Sequence, residues 1–233
     1  MDRRATKSAY LIRLGEREVH YRFVRRRRRT LGITVDAEGL KVSAPLRAPW
    51  RDIEGFVREK ESWILAKLDE WKQVPRSALI RGISGERLPV FGEMVELELR
   101  AGPVQRDGTR LCVPSVAGLV KWLKAIALDV LTARAAHFAA TLGQPAPRVQ
   151  LSNARTQWGV CTEGGAIRLS WRLVHIEPAL ADYVVAHECA HLVELNHSAR
   201  FWRLVDQLYP DWPEARERLE LAGAALPIFK ETT

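Results

Sequence analysis

Apolar positions along the chain change period several times, and each change marks an element. From residue 9 to 24, YLIRL and VHYRFV are short runs of strand formers on either side of GERE, and they predict a hairpin. LGITV and LKVSA repeat the pattern around DAEG, an Asp/Gly turn signal. APWRDIEGFVREKESWILAKLDEWK then takes helical spacing, with Ile53, Val57, Ile64, Leu68 and Trp71 on one face. Trp50, Trp63 and Trp71 read as core or interface residues. RLPVF, VELELR and TRLCV return to strands between residues 79 and 113. Pro114 and Ser115 open a long helix that Gly143 and QPAP end. RVQLSN, QWGVC and AIRLSWRLV read as three strands, with TEGG as a turn. Pro178 begins a further helix, and two more follow near Ala199 to Leu208 and Trp212 to Ala222.

These elements describe an α+β fold. Residues 1–113 form a basic, β-rich N-terminal region with one long helix. Residues 114–233 bring helix, sheet and helices, and the two regions can pack as one unit. Hydrophobic residues make up 47% of the 233, the proportion of an ordinary globular protein with a real core. No apolar run reaches the roughly 18 residues of a membrane span. MDRRATKSAY has no apolar stretch of the secretory kind. Cys112, Cys161 and Cys189 are few, far apart and without a CxxC pair, which fits small buried hydrophobes in a reducing cytoplasm.

Charge adds one feature. The formal net charge is +8, and residues 1–30 account for it, with eleven Lys/Arg against Asp2, Glu16 and Glu18. The block centres on Arg25, Arg26, Arg27, Arg28 and Arg29. In a strand, Arg25, Arg27 and Arg29 point one way and Arg26 and Arg28 the other. Such a block serves either as a solubilising strand edge or as a surface for nucleic acid or a nucleotide.

Chemistry concentrates in HECAHLVELNH, residues 187–197, which hold three of the chain's six histidines. On a helix, His187 and His191 lie one above the other and supply two corners of a tetrahedral zinc site. Glu188 points about 100° away, placed to take a proton from an attacking water and pass it to a leaving amine. The apolar ALADYVVA upstream argues for a buried helix. A third ligand is needed, and His197 is preferred over Glu194, because a turn at Asn196 swings His197 back. Ser198 then caps the next helix, with Phe201 and Trp202 packing behind it. Glu194 reads as a residue that hydrogen-bonds to a ligand or forms a salt bridge beside the site. Tyr183 and Arg155 are candidate oxyanion donors. His20 and His175 are further candidates for the third ligand, although His175 reads better as a strand-end residue near the cleft, and His137 reads as a packing or surface residue of the long helix.

YVVAHECAHLVELNHSARFW, with PDW shortly after it, resembles the YgjP-like metallopeptidase family, related to SprT-like and wider zincin proteases. QWGVC and GGAIRLSWRLV resemble that family's WGSC segment and following strand. The resemblance is strongest from about Asn153 to Trp212 and looser toward the N-terminus. It implies a zincin-like catalytic domain, an active-site helix against a small sheet, and a peptide or protein substrate. It also implies one zinc ion per chain, with His187, His191 and His197 as ligands and Glu188 as general base. The chain departs from the family at Gln157 and Val160, which leaves the segment's role toward substrate open; Trp158 and Cys161 read as structural. Metzincins have Gly where this chain has Glu194, so that label is rejected. Two other readings remain: a polyanion-binding protein whose metal site is structural or regulatory, and a metal-dependent nucleotide phosphohydrolase.

Overall fold

The computed structural model describes residues 9–74 and 77–230. The chain divides into two compact units, Met1–Pro75 and Arg76–Thr233. Asp2, Arg3, Arg4 and Lys7 of the basic segment lie outside the described residues.

In the first unit, β1 (Ala9–Leu14) and β2 (Arg17–Arg26) form an antiparallel hairpin that turns at Gly15, where φ is +55°. β3 (Gly32–Asp36) and β4 (Gly39–Pro45) form a second hairpin. β2 runs parallel to β4, with Tyr21 opposite Leu40, so the sheet order is β1-β2-β4-β3. Alternate residues Val19, Tyr21, Leu40, Val42 and Ala44 are buried, as period-2 patterning requires. α1 (Trp50–Glu59) and α2 (Glu61–Gln73) share this core through Ile53, Val57 and Ile64. The sequence predicts one helix here, but Lys60 at φ −98° and ψ +13° breaks it. The break gives each half its own apolar face toward one small core. Trp50 and Trp63 fall outside those faces and are 42% and 45% exposed, so they are not core residues. β2 ends at Arg26, and the Arg28 N–H turns back to the Arg26 carbonyl at 2.9 Å. The alternation of arginines between two faces therefore stops at Arg26.

In the second unit, β5 (Leu79–Ile80), β6 (Arg87–Val90), β7 (Glu93–Leu99), β8 (Gln105–Asp107) and β9 (Arg110–Val113) precede α3 (Val116–Thr141). β6 to β9 form a sheet of order β6-β7-β9-β8. The Ser115 hydroxyl starts α3 by accepting the Gly118 N–H at 3.1 Å. Leu88, Val95, Leu97 and Leu111 before Pro114 share one core with Leu119 and Leu123 after it. Pro114 is thus a joint inside this unit, and the division between units falls at Pro75.

β10 (Val149–Ser152), β11 (Gly159–Cys161) and β12 (Ile167–Ser170) form a sheet of order β10-β12-β11, with β11 at an edge. The strand predicted over AIRLSWRLV stops at Ser170. Its hydroxyl accepts the Arg172 N–H at 3.4 Å and begins a 3₁₀ turn, Trp171–His175, whose Trp171, Leu173, Val174 and His175 are buried. α4 (Pro178–Ala190), α5 (Ala199–Leu208), α6 (Trp212–Ala224) and β13 (Ile228–Phe229) follow, and β13 pairs in parallel with β5. Among the described residues, no helix is long and apolar enough to cross a membrane.

α3 is the spine of this unit. Leu119, Leu123, Ala127, Leu131 and Ala135 recur every four residues as one fully buried stripe. The small side chain at Ala135 lets α4 approach until the Cys189 thiol lies 3.6 Å from the Ala135 carbonyl. Arg134 clamps the same pair of helices with two hydrogen bonds to Asp182, at 2.6 and 2.8 Å.

Two expectations follow from this packing. Ala135→Leu overfills the α3/α4 contact and should cost about 1–3 kcal/mol in urea unfolding; an unchanged midpoint would contradict the close approach. His175 donates its Nδ1–H to the Pro89 carbonyl at 2.8 Å, and burial holds its pKa down to about 4 from 6.5. The unfolded chain therefore takes up this proton before the folded chain does. Its contribution is complete above the unfolded value and is lost as pH falls toward 4, by about 2 kcal/mol at pH 5. Urea midpoints from pH 7 to 5 should fall less steeply in His175→Gln than in the wild type; parallel slopes would refute this.

Candidate metal centre

α4 starts with Pro178 in its first turn, where the missing N–H costs nothing. Leu180, Ala181, Val184, Val185, Ala186, Cys189 and Ala190 are all buried, so the helix carries Glu188 into the core with it. The helix ends sooner than the sequence predicts. Leu192 and Val193 turn their N–H groups back to the Cys189 and Ala190 carbonyls at 3.0 and 3.1 Å, leaving His191 as the cap. Asn196 has no left-handed backbone: among described non-glycine residues, Phe91 alone has positive φ. The early exit gives the chain room to return, and His197 Nε2 comes within 3.1 Å of His187 Nε2. Ser198 then caps α5 by accepting the Phe201 N–H at 3.3 Å.

The ligand nitrogens of His187, His191 and His197 lie within 4.8 Å of one another. Phe201 is fully buried, and its ring centre sits 4.9, 4.4 and 4.7 Å from those of His187, His191 and His197. The His191 Nδ1–H donates to the Glu194 carbonyl at 3.0 Å, which leaves Nε2 with its lone pair. Burial, then the neighbouring His191, His197 and Arg216, hold the His187 pKa down to about 4. Burial also lowers His191, against the Glu194 hydrogen bond. His187 and His191 are therefore neutral at pH 7 and offer lone pairs. Tetrahedral nitrogens about 2.0–2.1 Å from an ion stand roughly 3.3 Å apart. The His187–His197 spacing fits that arrangement, so this trio could hold a metal ion.

Glu188 is 6% exposed, and burial pushes its pKa up to about 7, offset by a hydrogen bond from the Cys161 N–H. Gly159 makes the space for it. A Cβ at that position would stand 2.6 Å from Glu188 Cγ and 2.7 Å from Oε1. The QWGVC segment thus supplies a gap and an N–H donor beside the carboxylate, neither of which its side-chain pattern announces. Burial raises the Cys161 thiol to about 11 and the Cys189 thiol to about 12, so both stay protonated.

The other candidates separate. Glu194 meets the site through its carbonyl, while its carboxylate lies 3.8 Å from Arg200. Tyr183 is buried, with its ring 6.1 Å from His187 and 5.9 Å from Tyr209. Arg155 is exposed, and its charge acts on Arg172. His175 bonds to Pro89, His137 is exposed on α3, and His20 is exposed on β2. Sequence spacing missed Arg216 of α6. Its guanidinium lies 5.9 Å from the Trp202 ring, itself 5.8 Å from His197, and its charge reaches His187 and Tyr183. Only tertiary packing brings α6 there, so no local pattern marks it.

Among solved structures, the crystal structure of the metallopeptidase zymogen of Pyrococcus abyssi abylysin is similar at 22% identity and a TM-score of 0.37, over 43% of this chain and 99% of that chain. Comparison with curated proteins finds no match. A family model described as YgjP-like, metallopeptidase domain, matches residues 29–222. That match takes in most of the sequence, from the end of the arginine block to α6, and the chain belongs to the YgjP-like metallopeptidase family.

Proposed function

We propose that the chain is a zinc-dependent peptidase of the zincin type, in which His187, His191 and His197 hold one zinc ion and Glu188 is the general base. The observation that carries this reading is the meeting of three imidazole nitrogens within 4.8 Å beside a buried carboxylate. An all-nitrogen donor set favours zinc and carbonyl chemistry over the oxygen-rich magnesium sites of phosphoryl transfer. Zinc, when bound, supplies a Lewis acid and lowers the pKa of water at the site.

The chain's own residues supply the rest. Glu188, with its proton affinity raised to about 7, takes a proton from the attacking water and returns it to the leaving amine. The Cys161 N–H and the gap at Gly159 fix where that carboxylate stands. The Glu194 carbonyl keeps the His191 ring in its ligating tautomer. β11 lies at a sheet edge beside α4 with Val160 exposed, and such an edge can pair with an extended peptide. Tyr183 stands near His187 as the candidate donor to a developing oxyanion. Free thiols at Cys112, Cys161 and Cys189 support a reducing compartment such as the cytoplasm.

Elemental analysis should find about one zinc per chain in the wild type and a marked loss in His197→Ala. Glu188→Gln should keep its zinc and lose casein hydrolysis by about 100-fold or more. Normal cleavage by that variant would remove Glu188 from the mechanism. Gly159→Ala displaces the same carboxylate; it should keep zinc and lose on the order of tenfold or more in kcat. An unaltered kcat would show that the gap is not what positions Glu188.

A further inference from the structure

The metal centre leaves the five consecutive arginines of the first unit without a role. All of Arg25 to Arg29 are exposed. None has a carboxylate partner among the described residues. Arg22, shortly before them, pairs with both Asp36 and Glu38. The five are not alike. Arg25 directs one guanidinium nitrogen to the carbonyls of Pro45, Leu46 and Ala48 at 3.0, 3.1 and 2.9 Å. Arg28 reaches the hydroxyls of Ser43 and Thr30. These two are pinned to the end of the sheet. Arg26, Arg27 and Arg29 follow at the same end and have no side-chain partner among the described residues.

Aromatic rings meet the charge there. Trp50 lies 4.6 Å from Phe23 and 5.4 Å from Tyr10, centre to centre. The pinned Arg25 guanidinium sits 5.5 Å from the Phe23 ring and 5.8 Å from that of Trp50. Trp50 is 42% exposed, and Leu46, whose carbonyl accepts from Arg25, is 56% exposed. A strand edge kept charged only for solubility needs neither an arginine packed on aromatics nor a large ring facing water.

We infer that this end of the first unit binds single-stranded nucleic acid, with phosphates on Arg26, Arg27 and Arg29 and a base stacked on Trp50. The charge demands a polyanion, and the exposed ring selects one with free flat faces. A duplex hides its base faces in the stack, and an acidic peptide has none. The inference is independent of the peptidase reading, since it rests on other residues in the other unit.

The test is fluorescence anisotropy with a labelled 20-nucleotide oligo(dT) or oligo(rU) and the full chain, from 50 to 200 mM salt. Three phosphate contacts predict a log–log salt slope of about −2. Serine at Arg26, Arg27 and Arg29 together should weaken binding by about tenfold or more and flatten the slope. Trp50→Ala should weaken it by about tenfold at unchanged slope, and Trp50→Phe should restore most of it. Thermal midpoints check that each variant is folded; the three arginines have no side-chain partner to lose among the described residues. Absence of binding at 50 mM salt overturns the inference. So does equal competition by matched duplex or by poly-glutamate, which would mean that charge alone is recognised. An unaffected folded Trp50→Ala would overturn the stacking and with it the single-strand preference.

Discussion

From Leu180 to Ala190, α4 has no exposed residue. A helix so enclosed must be met on every side, and the second unit is arranged to do this. α3 takes one side with a stripe of Leu and Ala, and Ala135 sets how closely the helices approach. β11 and β12 take another, and α5 and α6 close the rest. The apolar run before His187 is what drives this enclosure, at about 25 cal/mol per Å² removed from water. The polar residues of the helix are carried inside by their neighbours rather than by any affinity for the interior.

That enclosure sets the electrostatics. Burial is the largest influence on both His187 and Glu188, and it acts in opposite directions on them. It strips the imidazole of its proton and makes the carboxylate hold one more readily. Neutral imidazole nitrogens therefore stand next to a carboxylate with a pKa near neutrality, the combination that the proposed peptidase chemistry would use. A surface helix with the same residues would have neither property. The cost of burying Glu188 is offset by one backbone N–H from Cys161 and by the absence of a side chain at Gly159.

Much of this was legible in the sequence because it is local. The four-residue spacing of His187 and His191, the Ser198 cap and the long α3 all follow from helical periodicity and capping chemistry. What was not legible depends on contacts between distant segments. Lys60 carries no breaker signal; the helix divides there because both halves must reach one small core. SWRLV has strand-like composition, yet the Ser170 hydroxyl converts it to a 3₁₀ turn buried under β6. The end of α4 is the instructive case. Asn196 looked like the stop, but the helix ends at Ala190, before the whole loop rather than near its close. The return of His197 could be anticipated from spacing while the path it takes could not. Gly159 and Arg216 act across the fold, and nothing in their own neighbourhoods marks them.

Phe201 shows why the three histidines hold together. It is fully buried, and its ring lies within 5 Å of all three imidazole centres. The rings therefore have a common apolar wall behind them, set by α5, which Ser198 fixes immediately after His197. Trp202 extends that wall and stacks on Trp212 at 4.3 Å, tying it to α6. Two of the imidazoles sit on or at the end of α4, and the third sits at the start of α5. Their mutual distances are thus decided by how these helices pack around one phenylalanine. On this account the site's geometry is a property of the core. An ion bound there would meet donors already gathered and would lose less free energy to ordering the loop between residues 192 and 197.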